Sequence, residues 1–156
     1  MELAAFYTRF DGAITGYVSK FQRVIEYLSR SEGLIELLGI RVDLSETSSS
    51  CELTIEPKHC GGPQVAHGGV VASLLDTALG LEAVRHAVMQ ERRTSTVEIK
   101  VNFMRPARLG ATLVTRTRVE SKGRSLMVIS GTACDASSEE PVAFAVGTFN
   151  LYEPKS

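Results

Sequence analysis

The run from Gly68 to Leu81 contains a single charged side chain, Asp76, among mostly aliphatic neighbours. Such a run is typical of a helix that is buried on all sides. A carboxylate placed there costs on the order of several kcal/mol of desolvation unless a partner or a reaction requires it. Asp76 is therefore the first candidate for a catalytic carboxylate. The alternative is an aspartate whose charge is satisfied structurally, for example by the helix N-terminus of a neighbouring subunit.

Two glycines, Gly68 and Gly69, follow His67 where this helix should begin. A helix N-terminus offers unpaired N–H donors and the positive end of the helix dipole, and glycine lets a ligand approach the backbone closely. The Gly68 N–H is thus a candidate for polarising a carbonyl group, with Gly69 beside it as a contributor to an oxyanion hole. The alternative is that the two glycines merely permit a tight turn from loop to helix.

Two basic clusters lie next to predicted turns. One is Arg105 with Arg108 around a proline, and the other lies between two predicted strands: Lys122, Gly123, Arg124 and Ser125. Because 17 Lys and Arg face 18 Asp and Glu, the protein has no net positive field, and any anionic ligand must be recognised by local groups such as these. The alternative is that they are ordinary solvated turn charges.

The hydrophobic periodicity indicates which helices position these residues. Apolar side chains at spacings of three and four make residues 3–38 helical, with a break at Gly33 and a short further turn before Gly39. The central helix starting at Gly68 should be buried all round and emerge into solvent only at Glu82, Arg85 and His86.

A period of two predicts the strands. Residues 40–55 should form a hairpin, and three helix and strand breakers make 57–63 a loop. Four more strand patterns follow the central helix, with Gly123 as a hairpin turn residue. The last strand has small residues on one face, where a helix could lie close: Ala143, Ala145 and Gly147. The order predicts an α+β fold with one long helix wrapped by a six-stranded antiparallel sheet.

Composition excludes several classes of protein. A chain of 156 residues with 44% hydrophobic and 22% charged residues is typical of one soluble domain and not of a disordered protein. No apolar run approaches the ~20 residues that span a bilayer, and the N-terminus has no signal-peptide core. Three widely spaced cysteines argue against a disulfide framework or a zinc site. We therefore expect a cytoplasmic protein with no metal and no nucleic-acid or membrane partner.

Three motifs together resemble the hotdog-fold acyl-CoA thioesterases of the PaaI-like (4HBT) group. They are His67-Gly68-Gly69, the acid in Leu75-Asp76-Thr77-Ala78, and the strand that runs from Thr96 to Arg105-Pro106-Ala107. The resemblance covers about residues 37–151. It implies a hotdog domain over 37–156, with residues 1–36 as an N-terminal helical extension of the same structural domain.

The resemblance also implies a reaction and its residues. The thioester of an acyl-CoA would be hydrolysed with no cofactor, Asp76 acting as nucleophile or as general base and Gly68 polarising the carbonyl. Thr96 occupies the place of a Ser or Thr that bonds the carboxylate or the lytic water, and His67 orients the loop or contacts the ligand. Many relatives carry an Asn about six residues before the histidine; here it is absent, and either His59 or Gln64 substitutes, or the backbone manages alone.

The resemblance implies an assembly as well. Relatives close their sites between two subunits, so we expect a homodimer that pairs into a tetramer, with Gly68 of one subunit facing Asp76 of the other. Relatives also place CoA phosphates near turns equivalent to the two basic clusters.

Two alternatives stay open. One is a hotdog hydratase or dehydratase, which would use a histidine and a helical acid. The other is a non-catalytic acyl-CoA-binding module, which would usually carry a basic DNA-binding segment that is not found in residues 1–36. The absence of a GxSxG motif excludes a thioesterase of the α/β-hydrolase type.

Overall fold

The computed structural model describes residues 21–26 and 33–153. Residues 21–26 are helical. The elements that follow are α1 (Leu34–Leu38), β1 (Arg41–Leu44), β2 (Ser49–Thr54), a 3-10 turn (Pro57–His59), β3 (Cys60–Gly62), β4 (Val65–Ala66), α2 (Gly68–Met89), β5 (Arg93–Phe103), β6 (Thr112–Lys122), β7 (Leu126–Asp135) and β8 (Pro141–Tyr152). None of the described helices is long and apolar enough to cross a membrane.

Six strands form one antiparallel sheet in the order β1-β2-β6-β7-β8-β5. The predicted hairpin is confirmed, since β1 pairs with β2 from Arg41 opposite Glu52 to Leu44 opposite Ser49. The four later strands are confirmed as β5 to β8. The turn between β6 and β7 begins at Gly123, whose N–H donates to the Leu126 carbonyl at 2.8 Å. One edge of the sheet is β5, which pairs only with β8 among the described strands.

The long helix α2 packs against the sheet where small residues leave room. A Cβ atom at Gly131 would lie 2.5 Å from Leu79 Cδ1, and one at Gly147 would lie 3.1 Å from Leu79 Cδ2. Ala143 and Ala145 are fully buried beside them. The expected small-residue face is therefore confirmed, and it sets how deeply α2 lies in the sheet.

The N-terminal prediction is tested only in part. Gly33 and Gly39 flank α1 as expected, and Gly39 has a left-handed φ of 68° that closes the helix. Phe21 and Val24 in the helical segment 21–26 are buried in the common core. Residues 1–20 and 27–32 lie outside the described part of the chain, and the division between 36 and 37, which falls within α1, stays a prediction.

Two expectations about α2 are wrong. The helix is not buried all round, because Gly69 and Asp76 on one face are exposed in the single chain. Its C-terminal half does not emerge into solvent at Glu82, since α2 continues to Met89 and the Glu82 side chain is only 7% exposed. The reason is that Glu82 is paired with Arg85 and hydrogen-bonded by Ser49, so its charge can be buried.

The segment 57–63 is also more ordered than the predicted loop. It contains a 3-10 turn held by reciprocal bonds between Glu56 and His59, followed by the small sheet of β3 and β4. Gln64 adopts a φ of 57° between those strands, which makes the reversal possible. Hydrophobic periodicity does not predict these bonds, because they depend on the particular side chains of Glu56 and His59.

Candidate active site

The N-terminal end of α2 presents one free backbone donor. His67 is the N-cap, and its Nδ1 accepts the Gly69 N–H at 2.9 Å. Since Nδ1 accepts, the neutral ring carries its proton on Nε2. The Gly68 N–H is at the first helical position, where no intrahelical acceptor exists. Of the two glycine amides, Gly68 is therefore the one available to a substrate carbonyl, whereas the Gly69 amide is used by the cap.

His59 lies directly behind this cap. Its carbonyl accepts the His67 N–H at 2.8 Å, and its ring Nδ1 accepts the Glu56 N–H at 2.9 Å. The ring is 1% exposed, and its Nε2 has no hydrogen-bond partner among the described residues. His59 thus supports the loop that places the cap.

The position six residues before His67 is Gly61, and it has no room for a side chain. A Cβ atom there would lie 2.8 Å from His67 Cδ2 and 3.0 Å from His67 Cβ. Gln64, the other residue considered for the missing Asn, is exposed, and its carbonyl accepts the Leu109 N–H at 2.9 Å. Of His59 and Gln64, only His59 contacts the His67 turn directly through a recorded bond.

Asp76 and Thr96 are brought together. Thr96 Oγ1 donates to Asp76 Oδ1 at 3.4 Å, and Thr96 is the fourth residue of β5, which begins at Arg93. Asp76 is exposed in the single chain. It lies eight residues after Gly68 on the same helix, a rise of about 12 Å. One chain therefore does not place the carboxylate and the Gly68 amide on the same carbonyl group.

Two clefts adjoin the start of α2. One has a volume of about 320 Å³, includes Gly68 and is mainly apolar: Val65, Ala66, Val71, Phe103, Met104, Arg105, Pro106, Ala107 and Val142 line the rest. The other, of about 390 Å³, includes His67, Gly69 and Ser73 on the side of the helix that leads to Asp76. Volumes of this size are ordinary for small-molecule sites.

The two basic clusters lie at opposite ends of α2. Arg105 lines the cleft beside Gly68, donates to the Pro141 carbonyl at 2.9 Å and lies 3.6 Å from Glu140. Arg108 is opposite Val65 in an isolated bridge.

The second cluster adjoins the helix C-terminus, since Lys122 Nζ is 3.3 Å from His86 Nδ1. His86 is ten residues beyond Asp76 and 18 beyond Gly68, which corresponds to rises of about 15 Å and 27 Å.

The C-terminal half of α2 carries a charged cluster that periodicity missed. Glu82 accepts bonds from Ser49 at 2.7 Å and from Arg85 Nε at 3.0 Å, and His86 Nε2 lies 3.1 Å from it. The Arg85 Nη1 donates to the Glu46 carbonyl at 2.6 Å. The spacing of Glu82 to Arg85 and His86, three and four residues, was the available signal for ion pairing.

Charges in this cluster shift each other's ionisation. Burial opposes ionisation of Glu82, but hydrogen bonds from Arg85 and Ser49 outweigh it and hold the pKa of the carboxyl below its usual value. Burial, together with the charges of Arg85 and Lys122, lowers the pKa of His86 despite the nearby carboxylate. With Nδ1 accepting from Lys122, the neutral form of the His86 ring carries its proton on Nε2, which lies 3.1 Å from both Glu82 and Arg85.

The three cysteines are free thiols. Burial raises the pKa of the Cys51 thiol to about 12, which makes it a poor nucleophile. Among residues 21–26 and 33–153, no group of three or more His, Cys, Asp and Glu side chains could hold a metal ion.

Comparison with known proteins assigns the chain to a family. The family model described as "Thioesterase superfamily" matches residues 63–142. A Pseudomonas aeruginosa protein named "Putative esterase" is 34% identical over 127 residues, 80% of this chain and 92% of that protein. Human acyl-coenzyme A thioesterase 13 is 25% identical over 121 residues, 75% of this chain and 84% of its own length.

Solved structures agree on the fold. The Escherichia coli PaaI protein from the phenylacetic acid degradation operon superposes with a TM-score of 0.71 at 22% identity, over 80% of this chain and 88% of that chain. A thioesterase from Haemophilus influenzae does so with a TM-score of 0.74 at 16% identity, over 93% and 95%. The fold and resemblance predicted from the sequence are thereby confirmed: the chain has the hotdog fold and belongs to the thioesterase superfamily.

Proposed function

We propose that this protein hydrolyses the thioester of an acyl-CoA to the free acid and CoA. The observation that carries the proposal is the free Gly68 amide at the start of a long helix, combined with the Asp76 carboxylate and its Thr96 partner further along the same helix. Membership of the thioesterase superfamily and the similarity to human acyl-coenzyme A thioesterase 13 support the substrate class. The reaction needs water and no cofactor.

The proposed chemistry uses two groups. The Gly68 N–H binds the thioester carbonyl oxygen and stabilises the negative charge that develops on it as the carbon is attacked. Asp76 either attacks that carbon itself, forming an acyl-enzyme anhydride that water then hydrolyses, or removes a proton from the attacking water. The carbon–sulfur bond then breaks, and the thiolate of CoA leaves and takes up a proton. Thr96 holds the carboxylate through its hydroxyl.

The proposal requires a second copy of the chain. Because Gly68 and Asp76 are about 12 Å apart along α2, a partner must bring its Asp76 to the Gly68 of the first chain. Edge strand β5 and the exposed face of α2 are available for this contact, and β5 exposes apolar side chains such as Val97, which is 61% exposed. A two-fold axis between antiparallel helices would form two equivalent sites. We propose that the smallest active state is a homodimer, which pairs further into a tetramer.

The second basic cluster is the proposed site for the phosphates of CoA. The segment Lys122–Ser125 lies about 15 Å along α2 from Asp76 of its own chain and about 27 Å from Gly68. It is therefore on the side of Asp76, at a distance that leaves room for an extended pantetheine arm between thioester and phosphates. Arg124 is the candidate phosphate ligand there. Arg105 and Arg108 stay candidates at the other end, although Arg105 already has Pro141 and Glu140 as partners.

The first experiment measures thiol release from a panel of aliphatic and aromatic acyl-CoAs, with hydration of an enoyl-CoA measured in parallel. Thiol release without hydration is the expected result, whereas hydration without thiol release would favour the hydratase alternative. Binding without either reaction would favour the non-catalytic module. Asp76→Asn should fold normally and lose about 10²-fold or more in kcat. A folded Asn variant with near-normal turnover would overturn the mechanism.

A mixing experiment tests the shared site. Gly68→Pro removes one amide donor, and Asp76→Asn removes one carboxylate. If each site uses Gly68 of one chain and Asp76 of the other, refolding the two inactive variants together should restore about a quarter of wild-type turnover, because about half of the dimers are mixed and each has one intact site. Sedimentation shows the assembly state of the same samples. Active monomers, or no recovery from mixed dimers, would contradict the arrangement.

A further inference from the structure

The turn between β6 and β7 is held by residues from distant parts of the chain. We call residues 123–125 the hairpin tip. The Gly123 N–H donates to the Leu126 carbonyl and the Ser125 carbonyl accepts the Leu151 N–H, both at 2.8 Å. The Arg124 carbonyl accepts a bond from the guanidinium of Arg92. Each residue of the tip therefore has a backbone group in a defined bond.

Arg92 joins three elements at this point. It lies between α2 and β5, where its N–H donates to the Ala87 carbonyl at 2.9 Å. Its Nη2 donates to the Leu151 carbonyl of β8 at 2.8 Å, while Nη1 bonds the tip. Its side chain is 16% exposed, and Nε is 3.1 Å from Glu153. Bonds from a charged, partly buried donor to carbonyls are stronger than neutral ones, so Arg92 fixes the tip relative to the sheet.

The two basic side chains of the hairpin, Lys122 and Arg124, differ in whether they have a partner among the described residues. Lys122 is directed at His86 of α2, with 3.3 Å between Nζ and Nδ1. The Arg124 side chain is exposed, and it has no recorded partner among the described residues. The groups left for an anionic ligand are thus the Arg124 guanidinium and the Ser125 hydroxyl, presented by a backbone that Arg92 holds in place.

We propose that Arg92 is a positioning residue for phosphate recognition: it holds the hairpin tip so that Arg124 meets a phosphate of the CoA nucleotide. This rests on the proposed function, which supplies CoA as part of the substrate. Arg92 does not touch the ligand. Its effect is to reduce the ordering that the tip must undergo on binding, which is a gain in affinity through preorganisation. Ground and transition states gain equally, because the phosphates are remote from the reacting carbon.

The test compares KM and kcat for Arg92→Ala, Arg92→Lys and Arg124→Ala on an acyl-CoA and on the matching acyl-pantetheine. Arg124→Ala should raise KM for the acyl-CoA about tenfold, and Arg92→Ala about fivefold. Arg92→Lys keeps the charge but replaces the two guanidinium nitrogens that bond the two carbonyls with a single ammonium nitrogen, so it should fall between wild type and Arg92→Ala. None of the three should change kcat by more than about twofold or alter KM for the pantetheine thioester.

Non-additivity and matched controls separate positioning from general damage. The double variant Arg92→Ala/Arg124→Ala should be no worse than Arg124→Ala alone, because Arg92 acts through Arg124. Glu153→Ala leaves both carbonyl bonds of Arg92 in place and should bind as wild type. Arg116→Ala, which loses an exposed cation paired with Glu139, controls for net charge. Thermal unfolding of every variant shows whether the fold persists.

The outcomes distinguish this inference from the proposed function. If the wild-type protein releases no thiol, the same comparison made by calorimetric titration with CoA still tests Arg92. An unchanged affinity in Arg124→Ala would overturn the phosphate site and this inference with it. An Arg124→Ala effect with no Arg92→Ala effect, with additive effects, or with equal losses on the pantetheine thioester, would overturn the positioning role alone.

Discussion

The polar groups at the two ends of α2 differ in how many hydrogen-bond partners they have. At the N-terminal end, the Gly68 amide, the His67 Nε2–H and the Asp76 carboxylate further along are left with few partners or none. At the C-terminal end, Glu82 is bonded by Ser49, Arg85 and His86, and His86 in turn by Lys122. Groups without partners are available to a ligand, whereas groups bonded to one another contribute chiefly to the stability of the fold. One helix thus combines a candidate reaction centre with a structural anchor.

The anchor should produce the largest effect on stability. In Glu82→Ala, Arg85 and Ser49 would lose their shared acceptor in a part of the protein that is largely buried. Removing one partner of a buried ion pair typically costs about 3–5 kcal/mol. Denaturant unfolding should show a loss of that size. A control, Glu139→Ala, removes an exposed carboxylate paired with the exposed Arg116 and should cost less than about 1 kcal/mol. Equal losses in the two variants would contradict the distinction between the two ends.

At the N-terminal end, Gly68→Pro should remove function without removing the helix. Proline is well tolerated at the first helical position, and His67, with φ −61° and ψ 138°, already has the backbone conformation that precedes a proline. The variant lacks the N–H that would bind the carbonyl oxygen and carries a pyrrolidine ring at the same position. We expect kcat to fall about 10²–10³-fold with little change in unfolding temperature.

Gly68→Ala is the matched control for that change. Its Cβ would lie 3.4 Å from the nearest atom of the Phe103 ring, close to ordinary van der Waals contact, and the amide is retained. This variant should keep most of its activity. If alanine and proline reduce kcat to the same extent, the loss comes from the added side chain, and the Gly68 amide has no catalytic role.

The same contrast explains what could be predicted from the sequence. Periodicity and small residues predicted the sheet, α2 and the face on which they meet, because core packing depends on side-chain size and spacing. The motif around His67 predicted where free donors would lie, because a helix start leaves its amides unpaired. The prediction that Glu82 is solvent-exposed is wrong because its partner Ser49 lies on a strand 33 residues earlier in the chain. Contacts between residues so far apart in the sequence are set by the tertiary structure, and the local sequence pattern does not reveal them.

A smaller effect is expected from the helix cap. His67→Ala removes the acceptor of the Gly69 N–H and should cost about 1 kcal/mol of stability. His67→Asn restores a good N-cap but lacks the ring Nε2–H, so it should recover the stability. We expect activity to follow the cap, with the asparagine variant close to wild type by kcat. Normal stability together with a large loss of kcat in His67→Asn would instead assign the ring a contact with the substrate.

The smallest effect is a pH dependence of stability that originates at the C-terminal end. The pKa of His86 is lowered in the folded protein, so the unfolded chain binds the proton more readily than the folded one. As the pH is lowered below the unfolded pKa of about 6.5, the folded protein therefore becomes less stable. The pKa of Glu82 is lowered as well, and its contribution, present above the unfolded value of about 4.3, is lost on further acidification. The unfolding temperature should therefore decrease between pH 7 and pH 5. In His86→Gln, whose amide can also donate to Glu82 and accept from Lys122, that decrease should be smaller, while the fall below about pH 4.5 persists. Identical pH profiles for the two proteins would show that the C-terminal cluster is not what couples stability to protons.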